Sequence, residues 1–188
     1  MEQIPVTWEG PYSWDYIENV KTKDLPEVLN TEGVYIFTFE FDGYVAYWPG
    51  ITEKRPLIKR LQDHPPKFRN GEYNVLDVDS AKKGNRELIW KGWEYAKKHR
   101  DEFITNKKSI LKAVDKQLCA TKIFVAEVSD KRLRERIEAA LAIGLYTSGS
   151  ELIDKGMHLI PKRADEAVIE ITNICTTKID GVPDILLV

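Results

Sequence analysis

Gly33 to Thr52 reads GVYIFTFEFDGYVAYWPGIT, and this stretch decides the fold. Gly33 to Phe41 alternates and is dense in β-branched and aromatic residues from Val34 to Phe39, which predicts a strand. Asp42-Gly43 supplies the turn pair that closes hairpins, and Tyr44 to Trp48 supplies the returning strand. Pro49-Gly50 ends it, because proline cannot continue a ladder and glycine tolerates a turn. Antiparallel pairing would bring Tyr35 and Tyr47 toward one site.

The chain then turns helical. Pro56 stands where a helix starts and Pro65-Pro66 where it should end, predicting about two turns from Leu57 to His64. Leu57, Ile58 and Leu61 form the apolar face. Arg60 and His64, four apart, align along its edge. Two phenols, a guanidinium and an imidazole are therefore expected together, a set suited to phosphodiester cleavage.

These residues resemble the GIY-YIG nuclease family. Gly33-Val34-Tyr35 matches its first motif, Gly50-Ile51-Thr52 the small-residue segment after the second, and Arg60-Leu61-Gln62-Asp63-His64 its arginine helix. Tyr47-Trp48-Pro49-Gly50 departs from the second motif: one residue is inserted or the register differs, with Tyr44-Val45-Ala46 the alternative. The resemblance implies a glutamate on a later helix that binds one divalent metal ion. Thr121 to Val128 reads as a third strand, and Asp130 caps a helix running to about Tyr146. Glu138 borders that helix's apolar stripe, and its surroundings match the family's glutamate helix. A solvated glutamate paired with Arg134 is the plainer alternative. Asn173 matches an asparagine that many members carry late in the domain.

The implied fold is α+β: a small central antiparallel sheet of about three strands flanked by helices, with a helical hairpin insertion. One nuclease-like domain over 1–188 is expected, with a lead-in at 1–30, the insertion at about 84–118 and a C-terminal extension at about 150–188. Two helices, Asn85 to Arg100 and Phe103 to Leu118, would form the insertion.

Composition bounds the function. Of 188 residues 43% are hydrophobic and 31% charged, with net charge −2, so the body is globular and not broadly basic. Lys54, Arg55, Lys59, Arg60, Lys67 and Arg69 nevertheless cluster with only Asp63 opposing. Such a patch suits phosphates held at one face, and Lys54, Arg55, Lys59, Lys67 and Arg69 are the nucleic-acid-binding candidates. Cys119 and Cys175 lie far apart without a CxxC pair, so they are expected as buried free thiols and not as a zinc site or disulfide. No apolar stretch approaches the roughly 20 residues of a membrane span, and a cytoplasmic location is expected.

The expected function is a Mg²⁺-dependent endonuclease, with Mn²⁺ as substitute, acting on DNA, most naturally double-stranded. Glu138 would bind the metal, Arg60 the scissile phosphate, Tyr35 or Tyr47 would take the proton from water, and His64 would relay it. The alternative is a catalytically inactive nucleic-acid-binding or protein-interaction module that retains the fold.

Overall fold

A computed structural model describes residues 2–154 and 158–188. In chain order the strands are β1 (Glu2–Ser13), β2 (Gly33–Glu40), β3 (Tyr44–Ile51), β4 (Val75–Leu76), β5 (Leu88–Trp90), β6 (Thr121–Glu127), β7 (Ile169–Cys175), β8 (Ile179–Asp180) and β9 (Ile185–Leu187). The helices are α1 (Trp14–Asn19), α2 (Leu57–Gln62), α3 (His64–Arg69), α4 (Val78–Lys82), α5 (Trp93–Lys98), α6 (Arg100–Ala120) and α7 (Lys131–Thr147).

The sheet corrects the expected fold. Instead of a small antiparallel sheet of about three strands, seven strands form one mixed sheet in the order β8-β3-β2-β6-β1-β7-β9, and β4 pairs with β5 in a separate ribbon. The lead-in, expected to hold a strand or turn over Trp8 to Tyr16, forms β1 from Glu2 to Ser13 and joins the sheet. Its buried Val6 and Trp8 alternate with exposed neighbours, but Pro5, Gly10 and Pro11 obscure that period. Residues 2–8 pair only with β7, in parallel, while Glu9 to Ser13 pair with β6, antiparallel. Proline is tolerated where a strand is paired on one side only.

The insertion is corrected as well. Leu88 to Trp90 is strand, not helix, and α5 spans six residues before the 21-residue α6. Short apolar runs fit either state, and pairing with Val75 and Leu76 decides this one. Pro65 and Pro66 begin α3, with His64 at its first position, because their missing N–H groups fall in a first turn that has no intrahelical partners. Cys119 is exposed and Cys175 half-buried, both free, against the expected buried thiols. Among the described residues, no helix is long and apolar enough to cross a membrane.

β2 lies between β3 and β6 and is buried on both faces. Tyr35, Phe37 and Phe39 face the layer that contains Leu57, Leu61, Phe68, Phe103 and Val114. Val34 and Ile36 face the opposite layer with Ile137, Leu141 and Leu145 of α7. The two layers meet beyond the end of β3. Since β8 pairs only with Tyr44 and Val45, the Pro49-Gly50-Ile51 end of β3 is an open edge, and side chains from both faces of the sheet reach round it.

Gly50 is opposite Tyr35, and a Cβ there would lie 2.3 Å from the Tyr35 Cζ. The phenol thus lies across bare backbone. Gly144, inside α7, has nothing within 4 Å of the corresponding position. Gly50→Ala should therefore cost about 1–3 kcal/mol by overpacking. Gly144→Ala should gain roughly 0.5–1 kcal/mol from helix propensity. Denaturant midpoints measure both, and equal small effects would contradict the close approach.

Candidate functional site

Three elements bring side chains to the open edge of β3. The first is β2, held at its start by a reciprocal pair: Gly33 N donates to Thr52 Oγ1 at 2.9 Å, and Thr52 N donates to Gly33 O at 3.0 Å. The second is α2, whose Leu57 N donates to Thr31 O at 2.8 Å while Leu57, Ile58 and Leu61 go into the core. Arg60 is left at the boundary. The third is α7, started by Asp130, whose carboxylate accepts from Leu133 N at 2.6 Å. Leu133, Ile137 and Leu141 bury its apolar stripe, and Glu138 stands half-buried beside it.

Tyr35, Arg60 and Glu138 become electrostatic neighbours here. Burial pushes the Tyr35 phenol well above its ordinary pKa, while the adjacent Arg60 guanidinium pulls it back down. Burial also pushes the Glu138 carboxyl up to about 7; Arg60 opposes this, and Glu135 and Glu53 add to it. Glu53, Glu135, Glu138, Arg55, Arg60 and His158 line a cleft of about 450 Å³. The alternative pairing of Glu138 with Arg134 is absent: the Arg134 guanidinium is buried and donates to Glu32 Oε2 at 2.6 Å and to the Val128 and Ser129 carbonyls.

His64 has no exposed surface, and its Nε2 lies 3.0 Å from the Tyr35 hydroxyl. Burial, then the charges of Arg60, Lys67 and Arg55, hold its pKa well below 6.5, so the ring is neutral. Nδ1 is buried with no hydrogen-bond partner. An orphaned acceptor costs less than an orphaned N–H, which assigns the proton to Nε2. His64 then donates to the phenolic oxygen, as Arg60 also can. Two donors on that oxygen favour its anionic form. A relay through His64 is disfavoured, because it would create a buried imidazolium beside Arg60, and orienting the phenol is the role its position supports.

Tyr47 is not brought to the site. Phe37 pairs with Trp48 and Thr38 with Ala46, leaving Tyr47 as the extra residue of a β-bulge. The bulge falls where Tyr47-Trp48-Pro49-Gly50 departs from the motif it resembles. Its ring stacks on Phe39 at 4.2 Å, and its hydroxyl lies 2.9 Å from Thr121 Oγ1, which in turn donates to the Gln117 carbonyl. Burial pushes its pKa up to about 12. The bulge also turns Trp48 toward the layer containing His64, with ring centroids 6.3 Å apart.

Asn173 is structural too. Its Oδ1 accepts from Trp8 Nε1 at 2.9 Å and its Nδ2 donates to Pro183 O at 2.7 Å, on a strand three places from β2 and so roughly 14 Å away.

The basic patch is partly neutralised. Arg69 forks onto both Glu18 carboxylate oxygens at 2.5 and 3.0 Å, and Arg55 pairs with Asp63 at 2.6 Å. Glu18 on α1 is far from the patch in sequence, so a local charge count omits it. Lys54, Lys59 and Lys67 make no ion pair among the described residues.

Tyr73, Glu53 and Glu135 also stand at this site, although none belongs to a sequence motif. The buried Tyr73 phenol lies against Arg60, which lowers a pKa that burial raises. The turn-forming Asn70-Gly71 before it is the available signal for an aromatic delivered from a loop. Glu135 could have been found from helical spacing, three residues before Glu138.

Among the described residues, no group of three or more His, Cys, Asp or Glu side chains is arranged to cage a metal. Magnesium does not need one, since it keeps several waters and takes one or two carboxylates. A carboxyl whose proton is retained to about 7, chiefly by burial and further by two nearby carboxylates, fits such an ion, because a cation would favour its ionised form.

The chain matches no family model, no curated protein and no solved structure in the comparisons made.

Glu138 has a folded pKa of about 7, above its ordinary value of 4.5. Its stabilising contribution is complete below the unfolded value and is lost as pH rises through the folded one. Glu138→Gln, which cannot ionise, should therefore gain stability relative to the parent between pH 5 and pH 8. Thermal melts across that range without metal measure this, and a pH-independent difference would contradict the buried carboxyl.

Proposed function

We propose that this chain is a metal-dependent endonuclease that hydrolyses phosphodiester bonds in DNA at the open edge of β3. The observation that carries the reading is the meeting of Tyr35, Arg60 and Glu138, far apart in sequence: Arg60 and Glu138 line one cleft, and Tyr35 is buried directly behind Arg60. They are also residues on which the resemblance to GIY-YIG nucleases rests.

Arg60 presents a planar fork to the scissile phosphate, where two parallel N–H donors fit two phosphate oxygens. Glu138, with Glu53 as a second carboxylate on the cleft, would hold Mg²⁺, or Mn²⁺ in its place, while Glu135 is paired with Arg132. When bound, the ion neutralises phosphate charge and lowers the pKa of its water. Tyr35, held beside Arg60 and oriented by His64, would first release its own proton to solvent, and as the phenolate held by those two donors it would accept the proton of the attacking water. The water oxygen bonds to phosphorus as the bond to the 3′ oxygen breaks, and that oxygen leaves with a proton from solvent. Tyr73 offers a second phenol to Arg60 and helps fix the guanidinium. Lys54, Lys59 and Lys67 would hold neighbouring phosphates.

A non-catalytic nucleic-acid-binding module is the second reading, favoured by the burial of Tyr47 away from the site.

Plasmid cleavage with Mg²⁺ against EDTA separates the two. Glu138→Ala should abolish cleavage and leave DNA affinity at fixed salt unchanged. Arg60→Lys keeps the charge but loses the fork, so turnover should fall roughly 10²-fold with affinity little altered. In the same binding assay, Lys67→Gln should flatten the slope of log affinity against log salt by about 0.9, one phosphate contact. Arg69→Gln should leave it unchanged, because Glu18 already holds that charge. Undiminished cleavage by Glu138→Ala removes the nuclease assignment.

A further inference from the structure

Arg60 also lines a second cleft, of about 500 Å³, which Glu138 does not line and where its neighbours include Trp48, Lys67, Tyr73, Trp93 and Arg100. The walls are aromatic. Tyr73 and Trp48 lie 5.4 Å apart between ring centroids, and Trp93 packs at an angle against both, at 4.9 and 6.0 Å. Trp93 nonetheless keeps 46% of its surface exposed.

Its backbone makes that exposure more telling. Trp93 has φ 55°, a left-handed conformation that suits glycine and strains a bulky side chain. The conformation is held by Trp93 N donating to Glu72 O at 2.7 Å and Gly92 N donating to Asn74 Oδ1 at 2.8 Å. A Cβ at Gly92 would lie 2.3 Å from the Tyr73 carbonyl carbon, so only glycine allows the two segments to meet this closely. The indole Nε1 is tied to Asp154 Oδ2 at 3.2 Å. A large ring is thus fixed at the surface in a conformation that core packing does not require.

Cations line the same cleft. The Lys67 ammonium sits 5.7 Å from the Tyr73 ring centroid, and Arg100 stacks on Phe103 at 4.8 Å while donating to Asn70 O. Glu72 and Glu94 on the same rim would repel a run of phosphates but can accept hydrogen bonds from the amino groups of bases. A single base with its own phosphate fits this mixture better than a duplex backbone does.

We infer that this cleft holds one unpaired nucleobase stacked on Trp93, adjacent to the phosphate at Arg60, so that the substrate carries an extruded or unpaired nucleotide at the cutting site. The inference rests on the proposed phosphate site and narrows its substrate from paired DNA to DNA with a local unpaired position. Stacking on an aromatic face tolerates any base and contributes about 1–3 kcal/mol. Extrusion costs least where a base is already unpaired.

The test compares wild-type protein, Trp93→Ala, Trp93→Gly and Trp93→Phe in EDTA. The probes are two short duplexes of the same sequence, one fully paired and one with a single unpaired adenine, and binding is read by fluorescence anisotropy. Wild type should prefer the bulged duplex by roughly 5- to 150-fold, the range that stacking free energy implies. Trp93→Ala and Trp93→Gly should erase the preference, and Trp93→Phe should retain most of it. The glycine variant suits the backbone, so it separates loss of the ring from loss of the fold. Equal affinity for both duplexes, absence of binding to either, or a preference that survives Trp93→Gly overturns the inference. Cutting of the same duplexes in Mg²⁺ reads the nuclease assignment independently. A Trp93-dependent preference without cleavage keeps the base site and removes the enzyme, and cleavage without that preference does the reverse.

Discussion

The candidate site depends on the contact between the Tyr35 ring and the bare Cα of Gly50. With any side chain at position 50 the phenol would be displaced, since a Cβ there falls 2.3 to 2.6 Å from three of its atoms. The contact occurs where β3 has lost its outer partner, so backbone is available to be covered. This opening at the edge lets a residue from one face of the sheet approach residues from the other. Tyr35 belongs to the layer of α2, α3 and α6, Glu138 to the layer of α7, and Arg60 lines both clefts.

Electrostatics at this edge has one centre. Arg60 opposes the effects of burial at the Tyr35 and Tyr73 phenols and at the Glu138 carboxyl. A partly buried guanidinium facing two phenols and a carboxyl is poorly matched to the folded chain alone, because none of the three groups ionises readily there. Perturbed groups gathered in a cleft are a recognised mark of functional sites, and the mismatch is the kind that a phosphate and a cation would resolve together. The strained backbone at Trp93 has the same character. Both features lower stability locally and both lie along the walls lined by Arg60.

Legibility in the sequence followed the range of the interactions. The β2–β3 hairpin, the capped α7 and the border position of Glu138 are local patterns of alternation, turn chemistry and helical phase, and each is found in the structure, except that β3 does not stop at Pro49-Gly50 as expected but pairs on to Ile51, because Pro49 lies on an edge where its missing N–H costs no ladder bond. The full extent of β1 was hidden because its prolines are tolerable only through its one-sided pairing, a tertiary fact. The bulge at Tyr47 is similar: the departure from the motif is visible in the sequence, but which side chain it turns inward depends on Thr121 and Phe39. Arg69 looked free because Glu18 is remote in the chain. Trp93 reads as a helical core residue from spacing alone, and only its positive φ and exposure set it apart.

The central claim, that Glu138 is poised for a divalent cation beside Arg60, is tested most directly by diffraction from crystals soaked in Mn²⁺. An anomalous difference peak within bonding distance of the Glu138 carboxylate, on the side of the cleft facing Arg60, is the predicted result. A map with no such peak at Glu138 when the soak is made above pH 7, where the carboxyl is ionised, would contradict the account.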